Sequence, residues 1–125
     1  MDADAKRLRF FTALCTRSRS NAKGRNISHS ITGQNLLDCW NRQQGRCYYT
    51  GRELVLERAK GSLRATINQA GIERVRSDRG YSPSNVRLVC KAVNYMKNTL
   101  SREEFFALCR DVVVTWPAVS TRSKQ

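Results

Sequence analysis

Acidic residues, histidine and long apolar segments are scarce in this sequence of 125 residues. It holds 10 Asp and Glu against 23 Lys and Arg, and a single histidine, His29. No apolar run approaches the roughly 18–20 residues needed to cross a membrane. The N-terminus begins with acidic residues, which is not the layout of a signal peptide. We therefore expect a cytoplasmic protein with no membrane partner.

Closely spaced cysteine pairs are also missing, although the chain has five cysteines. Structural zinc sites are commonly built on Cys-x-x-Cys pairs, so their absence argues against structural zinc. An odd number of cysteines in a cytoplasmic chain predicts free thiols rather than disulfides. Cys15, Cys39 and Cys109 lie among apolar helical positions and are predicted to be small core residues.

Positive charge is what the sequence has in excess, with a formal net charge of +13 at pH 7. A hydrophobic content of 40% is ordinary for a folded domain, and the length fits one domain over residues 1–125. So large a charge repels itself when compact, which makes a polyanion, and nucleic acid first, the expected partner. A charge that serves solubility or a membrane surface is the alternative.

Residues 1–50 are predicted to form a basic, helical N-terminal part. Apolar residues at helical spacing indicate a helix over 4–22, and Thr32 suits the N-cap of a second helix over 33–44. A short strand over 26–30 could lie between them. Seven basic residues and no acidic residue occur from Lys6 to Arg25. This absence of acids favours phosphate contact over a merely solvated face, with Arg17, Arg19, Lys23 and Arg25 as the contact residues.

The centre of the chain alternates between strand and turn signals. Residues 54–56 and 62–68 are ambiguous segments that could each be a strand, with a break at Lys60 and Gly61. Alternation then predicts a strand over 72–76, turn residues predict a loop over 77–84, and a second strand over 85–89 leads into a helix over 90–97.

A C-terminal helix is predicted within residues 100–115. Ser101 and Glu104 form a capping-box pattern, and Leu100 and Phe105 form a hydrophobic staple. The helix is expected to bury a stripe of four residues, Phe105, Leu108, Cys109 and Val112. Residues 116–125 read as a polar, frayed tail.

The strand–loop–strand–helix order suggests a site for phosphate chemistry. Glu73 on the first strand and Asn94 on the helix could offer one carboxylate and one amide oxygen to a hard divalent ion. Asn85 could brace the loop, and Arg74 would lie beside the phosphate.

Over roughly Ser18 to Val113 the chain resembles the HNH endonucleases of the ββα-metal class, in a form often carried by bacteriophages. The segments that carry this resemblance are QQGRCYYTG, IERVRS, RGYSPSNV, CKAVNYMK and LSREEF. The resemblance implies an α+β fold with a ββα-metal motif over residues 63–98, flanking N- and C-terminal helices and no structural zinc. It also implies hydrolysis of phosphodiester bonds in double-stranded DNA. If the protein is phage-encoded, it would act in the cytoplasm of a bacterial host cell.

Catalytic roles can be carried over by position. Glu73 matches the metal-binding Asp, Asn94 the second metal ligand and Asn85 the central Asn, which implies one Mg²⁺ or Mn²⁺ ion. Arg74 stands where many members keep the general-base His. Cys47 and Cys90 match single members of two zinc-binding pairs, whose other members are Thr50 and Val93 here.

Two departures weaken this carry-over. An arginine keeps its proton at any physiological pH, so Arg74 cannot be the base. A further Asp of the strand pattern is Arg76 here. His29 and Tyr81 are the candidate surrogate bases, although a structural role is the more common one for a lone histidine or a loop tyrosine. Five further basic residues are predicted to contact phosphates: Arg76, Arg79, Arg87, Lys91 and Lys97.

Two functions follow from these observations. The first is a divalent-metal-dependent DNA endonuclease or nickase that uses Glu73, Arg74, Asn85 and Asn94. The alternative is a catalytically degenerate module that binds nucleic acid or a host protein partner without cleavage. The target sequence, the choice between DNA and RNA and the oligomeric state are left open.

Overall fold

The computed structural model describes residues 2–57 and 61–117. The helices and strands of this part are α1 (Ala3–Gly24), α2 (Gly33–Gln43), a 3-10 helix (Leu63–Thr66), β1 (Ala70–Arg74), β2 (Val86–Cys90), α3 (Lys91–Lys97) and α4 (Arg102–Thr115). The fold is therefore α+β, with two strands followed directly by a helix. The predicted break at Lys60 and the predicted tail beyond residue 117 lie outside the described residues. None of the described helices is long and apolar enough to cross a membrane.

The two N-terminal helices pack against each other. The Thr32 hydroxyl accepts a hydrogen bond from the Asn35 backbone N–H, which forms the predicted cap of α2 as a capping box. Gly33 allows a close approach, because a Cβ atom there would lie 3.0 Å from the Thr12 backbone of α1. The core between them includes the fully buried Phe11 and Leu36. Both predicted helices are confirmed, and α1 is longer than the pattern indicated.

The hairpin of β1 and β2 is antiparallel, with Ala70 opposite Cys90 and Arg74 opposite Val86. The first strand ends earlier than predicted, because the backbone N–H of Arg76 bonds the Asn85 side chain instead of the other strand. At the C-terminal end of β2, α3 begins directly after Cys90. The hairpin and α3 are thus connected without a loop, which holds the side chains of both in a fixed relation.

Three strand predictions are wrong. Residues 26–30 form only an isolated parallel bridge, between His29 and Tyr81. Residues 54–56 likewise form only a single bridge, between Val55 and Gln69. The segment 62–68 contains the 3-10 helix instead. The first two segments each form a single bridge, which is too little for a ladder.

The C-terminal helix is only partly covered. Its predicted capping box is present, with the Ser101 hydroxyl bonded to the Glu104 N–H. Phe105 is buried, but Leu108 and Val112 are 54% and 63% exposed, so the prediction that they are core residues is wrong. Cys109 is partly buried against the core, so within the described residues α4 is held by Phe105 and Cys109 while Leu108 and Val112 are left exposed.

Candidate active site

A cleft lies along the β1 edge of the hairpin. It consists of two adjoining cavities of about 410 and 610 Å³, which share five lining residues: Arg25, Ile72, Tyr81, Lys91 and Asn94. The first cavity is also lined by Glu73, Arg74 and Lys97. We call the two cavities together the β1-edge cleft. Strand β1, helix α3 and the end of α1 therefore bring the predicted metal ligands next to basic side chains.

Glu73 is a buried carboxylate with a lysine partner. Its Oε1 lies 3.1 Å from Nζ of Lys97, and the two side chains are only 6% and 3% exposed. The Lys97 ammonium also donates to the Leu100 carbonyl at 2.9 Å. Glu73 Oε2 is buried and has no hydrogen-bond partner among the described residues. One carboxylate oxygen is therefore neutralised from inside the protein, and the other lacks a partner.

Tyr49 lies beside the same carboxylate, and no pattern in the sequence predicts it there. Burial and then the neighbouring Glu73 carboxylate raise the pKa of Tyr49, so the phenol is a neutral hydroxyl. The hydroxyl is buried, and no partner in the described residues meets hydrogen-bond geometry with it. Tyr49 is thus a neutral neighbour of the Glu73 carboxylate that forms no hydrogen bond with it in the described structure.

Asn94 faces the cleft from α3. Its Nδ2 donates to the Ile72 carbonyl at 3.3 Å, which directs the side chain towards β1. A carboxylate and an amide oxygen are the hard donors that Mg²⁺ accepts, and Mg²⁺ is usually held by only one or two protein groups plus substrate phosphates. The unpartnered Glu73 Oε2 makes Glu73 and Asn94 a minimal fit to one such ion. Lys97 competes with that ion for the carboxylate.

Metal-ligating side chains are otherwise sparse. No group of three or more His, Cys, Asp or Glu side chains is placed to hold a metal within residues 2–57 and 61–117. The nearby carboxylate of Asp78 is exposed and bonded to the Arg76 guanidinium at 2.9 Å. Cys47 and Cys90 are buried free thiols, and the Cys90 N–H donates to Cys47 Sγ at 3.3 Å.

Arg74 holds the loop that follows β1. Its Nη1 donates to the carbonyls of Ser77 and Arg79, both at 2.8 Å. Its guanidinium carbon lies 5.4 Å from the centre of the Tyr81 ring, which is a cation–π contact. The position at which the resemblance places a general base therefore holds a cation that braces the loop and lines the cleft.

Asn85 is the second brace of this loop. Its Oδ1 accepts from the Arg76 N–H at 3.0 Å, and its Nδ2 donates to the Arg76 and Gly80 carbonyls at 3.1 and 2.8 Å. The side chain is only 6% exposed. These bonds close the loop and fix the end of β1, which carries Glu73 and Arg74.

Replacing Asn85 with alanine should lower the free energy of unfolding by roughly 2–4 kcal/mol, because three partly buried backbone groups lose their partner. Urea unfolding followed by circular dichroism measures the change. Asn85→Asp is the matched control, since it keeps the acceptor for Arg76 but loses both donations. We expect it to fall between wild type and Asn85→Ala. Equal midpoints for wild type and Asn85→Ala would contradict the bracing role.

His29 and Tyr81, the two candidate surrogate bases, lie side by side. Their ring centres are 5.3 Å apart, but only Tyr81 lines the β1-edge cleft. His29 Nε2 lies 2.7 Å from the Ser18 hydroxyl, and its buried Nδ1 has no partner in the described part of the chain. Burial and then the charge of Arg19 lower the pKa of His29 below its ordinary value.

The lowered pKa of His29 has a consequence for stability. The unfolded chain binds a proton on this histidine at a higher pH than the folded chain does, so the neutral form stabilises the fold. That contribution is present above the ordinary histidine pKa of 6.5 and is lost as the pH falls through the folded value. We expect the urea midpoint of wild type to fall between pH 7.5 and 5 by more than that of His29→Gln. Parallel pH profiles would contradict this expectation.

The nine predicted phosphate contacts are divided by the fold. Arg17, Arg25, Lys91 and Lys97 line the β1-edge cleft, but Lys97 is engaged with Glu73. The Arg76 side chain pairs with Asp78. Arg87 lies in a different cavity. Arg19, Lys23 and Arg79 are exposed and line neither of the two cavities of the cleft. The contacts near the candidate metal ligands are therefore fewer than the sequence suggested.

Comparison with solved structures shows a similar fold. The chain is similar to the rare-cutting HNH restriction endonuclease PacI, with a TM-score of 0.55 and 24% identity over 87% of this chain and 81% of that one. The fold is similar to that of an HNH endonuclease. No protein-family model matches the sequence. No curated protein matches it either. The similarity is thus one of fold, and Glu73 and Asn94 lie within that HNH-like fold.

Proposed function

We propose that this protein is an HNH-type endonuclease or nickase that hydrolyses phosphodiester bonds in DNA with one divalent ion, Mg²⁺ or Mn²⁺. The observation that carries the proposal is the arrangement of Glu73 and Asn94. They line one cavity of a basic cleft, in a fold similar to that of an HNH restriction endonuclease. Double-stranded DNA is the proposed substrate.

Seven side chains in or beside the cleft have a role in this proposal. Arg25 and Lys91 bind the phosphate backbone, and Glu73 and Asn94 hold the ion. When bound, the ion supplies positive charge to the leaving oxygen. Arg74 and Asn85 keep the loop and β1 in place. Tyr81 is the proposed surrogate base, because of the two candidates it is the one that lines the cleft.

A second function is favoured by the Glu73–Lys97 ion pair. A carboxylate that is already neutralised by a buried ammonium binds a metal ion less strongly. The cleft then offers cations for phosphate binding, and Arg74 stands at the position of the general base. In this alternative the chain binds nucleic acid, or a host protein partner, and does not cleave. Binding that weakens steeply with salt, without cleavage in any metal, is its signature.

A plasmid assay separates the two functions. Supercoiled plasmid is incubated with the protein in Mg²⁺ or Mn²⁺, with and without EDTA, and nicked and linear forms are quantified. The endonuclease yields metal-dependent nicking that EDTA removes. Intact plasmid in every metal, together with salt-sensitive binding of the same DNA, sinks the endonuclease and supports the binding module.

A further inference from the structure

A second cleft lies at the opposite edge of the hairpin. Its volume is about 760 Å³, and it shares no lining residue with the first cleft. The Gln43 side chain bonds both the N–H and the carbonyl of Leu88, which brings the end of α2 against β2. The Tyr48 N–H donates to the same carbonyl at 3.0 Å. We call this the β2-edge cleft.

Three arginines line the β2-edge cleft, Arg42, Arg46 and Arg87, together with a single carboxylate, Asp38. Asp38 accepts a hydrogen bond from Gln34 at 3.0 Å. Among the described residues, its carboxylate forms no ion pair with any of the three arginines. The cleft therefore collects positive charge that its one lining carboxylate does not neutralise through an ion pair.

The arginines use few of their donors within the protein. Arg42 Nη2 donates to Cys39 Sγ at 3.2 Å, and Arg87 Nη1 donates to the Val86 carbonyl at 2.7 Å. Arg46 donates to the Gly51 carbonyl at 3.0 Å and approaches the exposed Glu53 only to 3.7 Å. A guanidinium has five N–H donors, so in the described structure each retains donors for a ligand.

Two of these cations lie near the buried Cys39 thiol, and Arg42 Nη2 donates to its Sγ at 3.2 Å. Burial raises the pKa of the Cys39 thiol, while the charges of Arg42 and Arg87 both act on it in the opposite direction. Cys39 itself is buried. Like charges that converge next to a buried group repel each other, and a bound anion would relieve that repulsion.

We propose that the β2-edge cleft binds a phosphate group through Arg42, Arg46 and Arg87. Planar guanidinium groups match phosphate oxygens in paired hydrogen bonds, which suits arginine better than lysine for this purpose. The cavity has the size of an ordinary ligand site. The phosphate belongs either to a nucleic-acid backbone or to a free phosphate-bearing small molecule. The site does not depend on whether the β1-edge cleft cleaves DNA.

Arginine side-chain NMR tests the site directly. The Nε–H signals of the protein are followed during titration with inorganic phosphate, a mononucleotide and a DNA duplex. We expect saturable shifts of Arg42, Arg46 and Arg87, and we expect the Arg87 shift to weaken strongly in the variant Arg42→Gln/Arg46→Gln. The matched control is Arg9→Gln/Arg110→Gln, which removes two exposed charges outside the cleft and should leave the Arg87 shift unchanged.

Duplex binding at several salt concentrations then identifies the source of the phosphate. If it is a nucleic-acid phosphate, the cleft variant loses about 2 from the slope of log K against log salt, at roughly 0.9 per phosphate contact, and the control does not. Saturable shifts with phosphate or mononucleotide, without a change in that slope, assign the site to a free ligand. The absence of saturable shifts with all three probes overturns the proposal, whatever the plasmid assay shows.

Discussion

Replacing Lys97 with methionine should lower the free energy of unfolding by about 3–5 kcal/mol, because it leaves a buried carboxylate without its counter-charge. The ammonium lies 3.1 Å from Glu73 Oε1, and both side chains are almost fully buried. Urea unfolding at pH 7.5 measures the loss as a lower midpoint with an unchanged m-value.

The size of that loss distinguishes a buried charge from simple loss of packing. The double variant Glu73→Leu/Lys97→Met removes both charges, and we expect it to regain most of the stability. As a control on an exposed pair, Asp78→Asn breaks the bond to Arg76 and should leave the urea midpoint where it is. If Lys97→Met is as stable as wild type, the ion pair does not hold the site together.

The same variant reports on the proposed metal. With Lys97 gone, a divalent ion can satisfy Glu73, and a ligand that binds only the folded state raises stability by mass action. Addition of Mn²⁺ should therefore raise the urea midpoint of Lys97→Met more than that of wild type. In Glu73→Leu/Lys97→Met the added Mn²⁺ should have no effect.

Local signals in the sequence predicted local structure well. Thr32 and Ser101 were recognised as caps because a cap depends on residues within one helical turn, and both capping boxes are present. The paired strands were expected within two residues of their actual ends. The strand predictions over residues 26–30 and 62–68 are wrong because such short segments with few apolar residues fit a strand, a bridge or a 3-10 turn equally well.

Tertiary contacts were the part that the sequence could not supply. The stripe on α4 predicted a buried face, but periodicity does not say whether another element covers Leu108 and Val112. The buried partner of Glu73 was missed, although a signal existed. Lys97 follows Asn94 by three residues on α3, so the two share a face, and any geometry that aims Asn94 at Glu73 also aims Lys97 there.

The sequence analysis does not predict Arg42 and Arg46 as phosphate contacts, for a related reason. They precede the conspicuous central stretch, and their cleft forms only because the Gln43 side chain bonds the Leu88 backbone 45 residues later. Arg87, by contrast, was assigned to the predicted phosphate contacts of the central motif. Its side chain instead lines the β2-edge cleft, because the two edges of a hairpin face different neighbours.

Replacing Asn94 with alanine should reduce metal-dependent nicking by at least about 100-fold, since it removes one of only two protein oxygens proposed to hold the ion. Loss of a group that merely orients a metal ligand already costs about 10- to 100-fold. The fold should survive, because the one hydrogen bond given up, to the Ile72 carbonyl, is a long one at 3.3 Å. The plasmid assay in Mn²⁺ gives the rate, and urea unfolding checks the fold.

Asn94→Asp is the matched control. It preserves an oxygen at the same position and adds a second carboxylate, which should strengthen divalent binding in calorimetry with Mn²⁺ and keep nicking well above that of Asn94→Ala. The proposed ion site requires this order in both metal uptake and cleavage. If Asn94→Ala and Asn94→Asp take up Mn²⁺ to the same extent as wild type, the ion is not held by Asn94. If none of the three takes up Mn²⁺ or nicks the plasmid, the Glu73–Lys97 pair has replaced the metal, and the β1-edge cleft acts by binding alone.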